Sequence, residues 1–212
     1  MKETRKYTMG ARAQAVEATR RRILDAVVAL VAVRPIAQTT LDSVAERAGV
    51  SVQTVLRQFG SRDRLFAEAL ETGLAQTEDE RRTPPGDVAA AVRVVMDHYE
   101  HRGRSSLLML AQEDHDAIAR TVNDRDKALH RAWVRDAFAP ATDDAAVLDL
   151  LVVATDVYTW KLLRLDRGHS RAVTERRLRD LVDAVLAAHP HPGPAETPTH
   201  PQSELVEERR DV

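Results

Sequence analysis

The sequence predicts an all-α protein, a small N-terminal three-helix unit joined to a larger helical body. Three observations predict it. No segment alternates apolar and polar residues with the two-residue period of a half-buried strand. Apolar residues recur instead at i, i+3, i+4 and i+7 over most of the chain. Glycine, proline and short capping residues fall between these stripes, where helices stop and start.

Each element follows from that pattern. Glu17 to Val33 carries Ile23, Val27, Leu30 and Val31 at helical spacing, and Pro35 ends it by pushing its neighbour away from helical geometry. Thr39 or Thr40 is a fit N-cap for a short helix through Ala48, with Leu41, Val44, Ala45 and Ala48 inward. Gly49 stands at the left-handed C′ position, and Ser51 caps the next helix, which runs through Val55 to Phe59. Gly60 closes that helix, and Ser61 caps a longer one over Arg62–Arg82 with Leu65, Phe66, Ala69, Leu70 and Leu74 on one stripe. Thr83-Pro84-Pro85-Gly86 is a break. Beyond it the pattern predicts helices over Asp87–Arg102, Ser105–Ile118, Ala119–Phe138, Asp143–Asp166 and Thr174–Ala188, separated by Gly103, Pro140 and Asp166-Arg167-Gly168. The tail from His189 to Val212 holds five of the nine prolines and is expected to be disordered. The resulting division is 1–16 as a flexible basic arm, 17–66 as the three-helix unit, 67–188 as the body and 189–212 as the tail.

Composition narrows the chemistry. The 212 residues include no cysteine, which excludes disulfides, thiol nucleophiles and Cys-ligated zinc. No apolar run approaches the ~18 residues of a membrane span, and Met1 to Arg22 lacks the apolar segment of a secretory signal. The expectation is a soluble cytoplasmic protein with no membrane partner. The formal net charge of −2 hides a split. Residues 1–64 hold 12 Lys+Arg against 6 Asp+Glu, a net of +6, and the remainder holds 19 against 27, a net of −8. A basic N-terminal third on an acidic body points one end toward a polyanion.

The two short helices joined by Gly49-Val50-Ser51 match a helix-turn-helix. Ala45 is small where the helices cross, Gly49 sets the turn, and Val50 and Val55 fill the space between them. The second helix would enter the major groove with its N-terminal side chains nearest the bases. Its exposed set, Val52, Gln53, Thr54, Arg57 and Gln58, suits hydrogen bonding to DNA. A helix pair inside an ordinary bundle has similar spacing, so spacing alone leaves both readings open.

The stretch Thr40-Leu41-Asp42-Ser43-Val44-Ala45-Glu46-Arg47-Ala48-Gly49-Val50-Ser51, followed by Thr54, Phe59, Ser61, Arg62 and Leu65, resembles the TetR family of transcriptional regulators. The resemblance covers roughly residues 18–70. It implies an N-terminal helix-turn-helix DNA-binding domain and a C-terminal helical domain for ligand binding and dimerisation. It also implies a homodimeric regulator, most often a repressor released from a pseudo-palindromic double-stranded DNA operator by a small hydrophobic or amphipathic effector. An activator or ligand-independent DNA binder of the same fold, or an all-helical ligand carrier or enzyme, are the alternatives. Carried over by residue, Thr40, Thr54, Gln58 and Arg62 position the protein on phosphates, and Ser51 opens the recognition helix. Gln53 and Arg57 read base edges, and Val52 is a candidate for a thymine methyl. Two departures stand out: Leu56 occupies the place of a common tyrosine, and the glycine usual before the second helix is missing near Arg34-Pro35-Ile36.

The two apolar C-terminal helices are expected to pair with their copies in a dimer. Met96, Tyr99, Leu108, Met109, Gln112, Trp133 and Trp160 are candidate ligand-wall residues, being bulky, soft or polar-tipped. His98 and His101 lie three apart on one helix, a spacing zinc can use, but without a clear third ligand they are read as solvent-facing. His115 and His130 follow without completing a set. Glu113-Asp114-His115-Asp116 lacks a nucleophile or oxyanion cradle and is read as a charged helix end. No catalytic residue, metal or cofactor is assigned.

Overall fold

The computed structural model describes residues 3–139 and 141–190, with side chains from residue 12 onward. The expected tail, apart from His189 and Pro190, lies outside the described residues, as does Pro140. The described residues contain helices and no strand: α1 Glu3–Val31, a 3₁₀ turn Ile36–Gln38, α2 Leu41–Ala48, α3 Val52–Phe59, α4 Arg62–Glu80, α5 Val88–Leu110, α6 Ala117–Phe138, α7 Ala145–Ala154, α8 Val157–Lys161 and α9 Arg171–Ala188.

Two cores organise them. Ile23, Val27 and Leu30 of α1 pack with Ile36, Val44, Val55, Phe59, Leu65 and Phe66 to close the N-terminal unit. Val95, Met96, Tyr99, Phe138, Leu151, Trp160, Leu178 and Val182 fill the body. Met109 and Ile118, at the α5–α6 end of the body, pack against the N-terminal core. The two units therefore meet through apolar contact as well as through α4, which is common to both.

Several boundaries differ from the sequence expectation. The arm expected to be flexible over 1–16 is helical from Glu3. No proline interrupts residues 3–22, and a helix nucleated by the packed stretch after Ile23 extends at one hydrogen bond per residue, past the single Gly10. Gly103 is not a separator: α5 runs straight through it, and the position is glycine because Trp160 lies where a Cβ would project. The helix expected over Ser105–Ile118 is instead the end of α5 followed by turns at 111–115, and Asp116 caps α6 by accepting from Ile118 N at 2.9 Å and Ala119 N at 3.0 Å.

The single helix expected over Asp143–Asp166 breaks at Thr155-Asp156. The Thr155 hydroxyl bonds back to Leu151 O at 2.7 Å, its carbonyl accepts the Tyr99 hydroxyl at 3.0 Å, and Asp156 restarts the chain as the N-cap of α8. A wide helical turn, Leu162–Asp166, follows α8. Ser170 caps α9 three residues earlier than the apolar stripe suggests.

Candidate nucleic-acid interface and effector cavity

The α2–α3 pair is held at every end by its own sequence. Thr40 Oγ1 accepts from Ser43 N at 3.2 Å while Ser43 Oγ accepts from Thr40 N at 3.1 Å, a reciprocal box that ties down two otherwise orphaned donors. Gly49 closes α2 at φ 66° with its N–H bonded to the preceding turn, and its absent Cβ would touch nothing. The glycine is there for conformation and not for space. Val50 N then bonds Ala45 O at 3.0 Å, which fixes the turn. Ser51 caps α3, accepting from Thr54 N at 3.2 Å. Val55 and Phe59 are buried, so the α3 face carrying Gln53 and Arg57 is turned to solvent.

The residues expected at DNA divide by their surroundings. Thr40, Ser51, Gln53 and Arg57 are exposed, and Thr54 and Gln58 are half-buried on the same side. The Ser51 and Thr54 hydroxyls lie 3.0 Å apart. Val52 packs against the N-terminal core, which is the surface-packing alternative to a thymine contact. Leu56 is 40% exposed, an apolar side chain on the outer surface of α3. Arg62 is partly engaged elsewhere: its Nη2 donates to Ile36 O at 2.9 Å and its guanidinium lies 4.2 Å from the Phe66 ring centroid. It therefore anchors the 3₁₀ turn to α4, whatever its remaining nitrogens reach.

Sequence reasoning missed Arg20. Its guanidinium forms an ion pair with Glu68, donates to Gln58 O at 3.2 Å and sits 4.4 Å from the Phe59 ring centroid. One side chain thus fastens α1 to the end of α3 and to α4. Among three consecutive arginines, only the helical register relative to Ile23 and Val27 could have singled it out.

Beneath this unit a cavity of about 120 Å³ opens between α1, α4, α5 and α6. Val28, Leu70, Leu74, Met109 and Val122 are among its apolar lining, and Thr77, His98, Arg102, Ser105, Ser106, Asn123 and Asp126 form its polar lining. Close by, Gln112 spans the two units. Its Oε1 accepts from Ile36 N at 2.8 Å while its Nε2 donates to Leu108 O at 2.7 Å. The Ile36 peptide is consequently held on one side by the body and on the other by Arg62.

Residues 23–69 match the model of the bacterial regulatory proteins, tetR family. The N-terminal domain is a TetR-family domain. Solved structures align over most of the chain. A TetR-family transcriptional regulator from Streptomyces coelicolor is 23% identical, with 81% of this chain and 83% of that one covered at a TM-score of 0.63. A transcriptional regulator from a Rhodococcus species is 19% identical, with 80% and 96% covered at a TM-score of 0.60. At these identities the likeness is one of fold. No curated protein matches the sequence.

Behind the TetR-family domain, the seven residues expected to line a ligand site are dispersed. Met109 alone among them borders the cavity. Met96, Tyr99 and Trp160 belong to the body core, where Trp160 Nε1 donates to Glu100 Oε1 at 3.1 Å. Trp133 donates to Arg81 O at 2.7 Å and borders a separate groove beside Thr83 and Pro84. Leu108 is half-buried away from the cavity wall, and Gln112 is the strap described above. Bulk and polarity select core residues as readily as wall residues, since both serve to fill space.

Of the histidine pair read as solvent-facing, His101 is exposed but His98 is only 4% exposed, and His130 on α6 is likewise buried at 5%. Burial, reinforced by the Arg81 guanidinium, pushes His98 down to about 3 and His130 down to about 4. Both rings are neutral at pH 7. No group of three His, Asp or Glu side chains converges as a metal site among the described residues. No helix there is long and apolar enough to cross a membrane.

Proposed function

We propose that the protein is a homodimeric repressor that binds a pseudo-palindromic operator through α3 and leaves it when a small molecule occupies the cavity. The observation that carries this reading is the capped α2–Gly49–α3 pair, whose solvent-facing side carries Gln53 and Arg57 on a domain with a net charge of +6 over residues 1–64. Gln53 pairs an adenine edge and Arg57 forks onto guanine, each contributing about 1–3 kcal/mol of discrimination. Thr40, Ser51, Thr54, Gln58 and the free nitrogens of Arg62 hold phosphates and set the register.

Exposed apolar residues of the body support dimerisation. Leu150 and Val153 of α7 and Leu181 of α9 are 45%, 64% and 43% exposed. A two-fold dimer that reads successive major grooves needs its two α3 helices about 34–36 Å apart, one turn of DNA. The cavity supports effector control, since Val28 and Val31 of α1 and the following Ala32 form part of its wall. An occupant there touches the DNA-binding unit directly, so it can bind one domain arrangement better than another, which is all that coupling requires.

The test is operator selection from a random DNA pool, followed by titration of the selected duplex. Selection of a two-fold symmetric site whose affinity falls in Gln53→Ala/Arg57→Ala supports the reading. Absence of any sequence-selective binding by the intact chain would sink it.

A further inference from the structure

Two side chains in the polar lining of the cavity offer acceptors that no donor occupies. His98 Nδ1 lies 3.3 Å from Glu80 Oε2, and a carboxylate can only accept, so Nδ1 carries the proton. Glu80 is itself gripped by Arg102, through Nε at 2.7 Å and Nη2 at 2.6 Å, which keeps it ionised and fixed in place. The His98 ring is neutral, as burial and Arg81 dictate, so Nε2 is a bare acceptor. It has no donor among the described residues, although the side chain is nine-tenths buried and lines the cavity. Asp126 borders the same space, and its carboxylate receives no hydrogen bond among the described residues. Two unoccupied acceptors therefore border a cavity whose other polar side chains, Thr77, Arg102, Ser105, Ser106 and Asn123, stand among apolar residues.

Size and charge narrow the occupant. A space of about 120 Å³ is on the scale of a dry cavity of ~150 Å³ that takes benzene, so it holds about one ring. An anion would meet the Asp126 carboxylate and the bare His98 nitrogen. A cation would meet Arg102 in the wall and Arg81 behind His98. A wholly apolar ring would leave His98 Nε2 dry and unpaired, the loss by which donor-seeking sites reject analogues.

We infer that the cavity takes a neutral single-ring molecule bearing a hydrogen-bond donor, with phenol as its minimal member. The ring lies against Val28, Leu70, Leu74 and Met109, and the hydroxyl donates to His98 Nε2. The regulatory meaning of this binding rests on the repressor reading above; the binding itself does not.

Calorimetric titration of the full chain at pH 7.5 with phenol, toluene, benzoate and benzylamine tests it, run beside the operator titration. Phenol is expected to bind at least tenfold more tightly than each of the other three. His98→Leu is expected to bring phenol down to the level of toluene while leaving toluene unchanged. The ranking of the four probes on the wild-type chain decides the matter even if that variant does not fold. Toluene binding as well as phenol, an ion binding best, or no probe binding overturns the inference. Phenol binding without sequence-selective DNA binding keeps the ligand class and removes the regulator reading, and operator binding without phenol binding does the reverse.

Discussion

Gly103→Ala is expected to weaken the protein, although alanine is the better helix former. Alanine in place of glycine in a helix interior favours folding by about 1 kcal/mol. At Gly103, however, the new Cβ would stand 2.5, 2.7 and 2.9 Å from three carbons of the Trp160 ring. Carbon atoms prefer about 3.5–4.0 Å, so the indole must move by roughly 1 Å. Trp160 is 3% exposed, with a tilted contact to Tyr99 and its Nε1 bonded to Glu100 at 3.1 Å. Displacing it forfeits a hydrogen bond to a charged group, about 1.5–3 kcal/mol, and adds overpacking strain of about 1–3 kcal/mol. The net is a loss of about 3 kcal/mol, or about 6–12 °C in Tm for a chain of this size. Gly73→Ala is the control, because its Cβ would meet only Val28 Cγ2, at 3.9 Å. That exchange is expected to stabilise by about 0.5–1 kcal/mol. Urea denaturation followed by circular dichroism reads both. A Gly103→Ala variant as stable as the wild type would refute the packing argument, and one rescued by Trp160→Leu in a double-mutant cycle would locate the cost in that pair.

Other perturbations follow from the same geometry. Acidification from pH 6.5 toward 4 lowers stability, because the unfolded chain protonates its histidines near 6.5 while buried His98 and His130 stay neutral until about 3 and about 4. The slope reaches up to about 1.4 kcal/mol per pH unit for each ring, and urea midpoints that do not change between pH 7 and 5 would contradict it. Ser51→Ala removes the α3 cap and costs about 1 kcal/mol, read by thermal melting, with weaker operator binding in parallel. Gln112→Ala leaves the buried Ile36 N–H without its acceptor, costing about 1–3 kcal/mol, and is expected to shrink the effect of ligand on operator affinity in a linked titration. Operator affinity is expected to fall steeply with salt, by a log–log slope of about −0.9 for each phosphate neutralised; titrations at several salt concentrations measure it, and a flat dependence would exclude the basic face as the contact surface.

How much was legible in the sequence varied with the range of the cause. The α2–α3 pair was readable because its determinants are local: Thr40, Gly49 and Ser51 act within one turn of where they stand. The apolar stripes of α1, α4 and α9 were readable for the same reason. Gly103 and Thr155 were misread because the deciding partners, Trp160 and Tyr99, lie more than fifty residues away. The cavity was hidden for a further reason. A wall residue and a core residue share the same composition, and only the three-dimensional arrangement says that Leu74 faces a space while Met96 faces other side chains. His98 was noticed for its spacing from His101, whereas its surroundings on α4, Glu80 above all, decide its chemistry.

The Ile36 peptide limits how freely this chain could be recombined with others. Its N–H is held by Gln112 from the body and its carbonyl by Arg62 from α4. A chimera that grafts residues 1–80 onto a foreign helical body keeps the second bond and loses the first. Unless the new body presents an acceptor at that spot, the hybrid carries a dry amide at its seam, a cost of about 1–3 kcal/mol. Residues 23–69 alone carry the family pattern, yet the smallest portable unit also includes the turn after α5 that delivers one amide oxygen to a position 76 residues upstream.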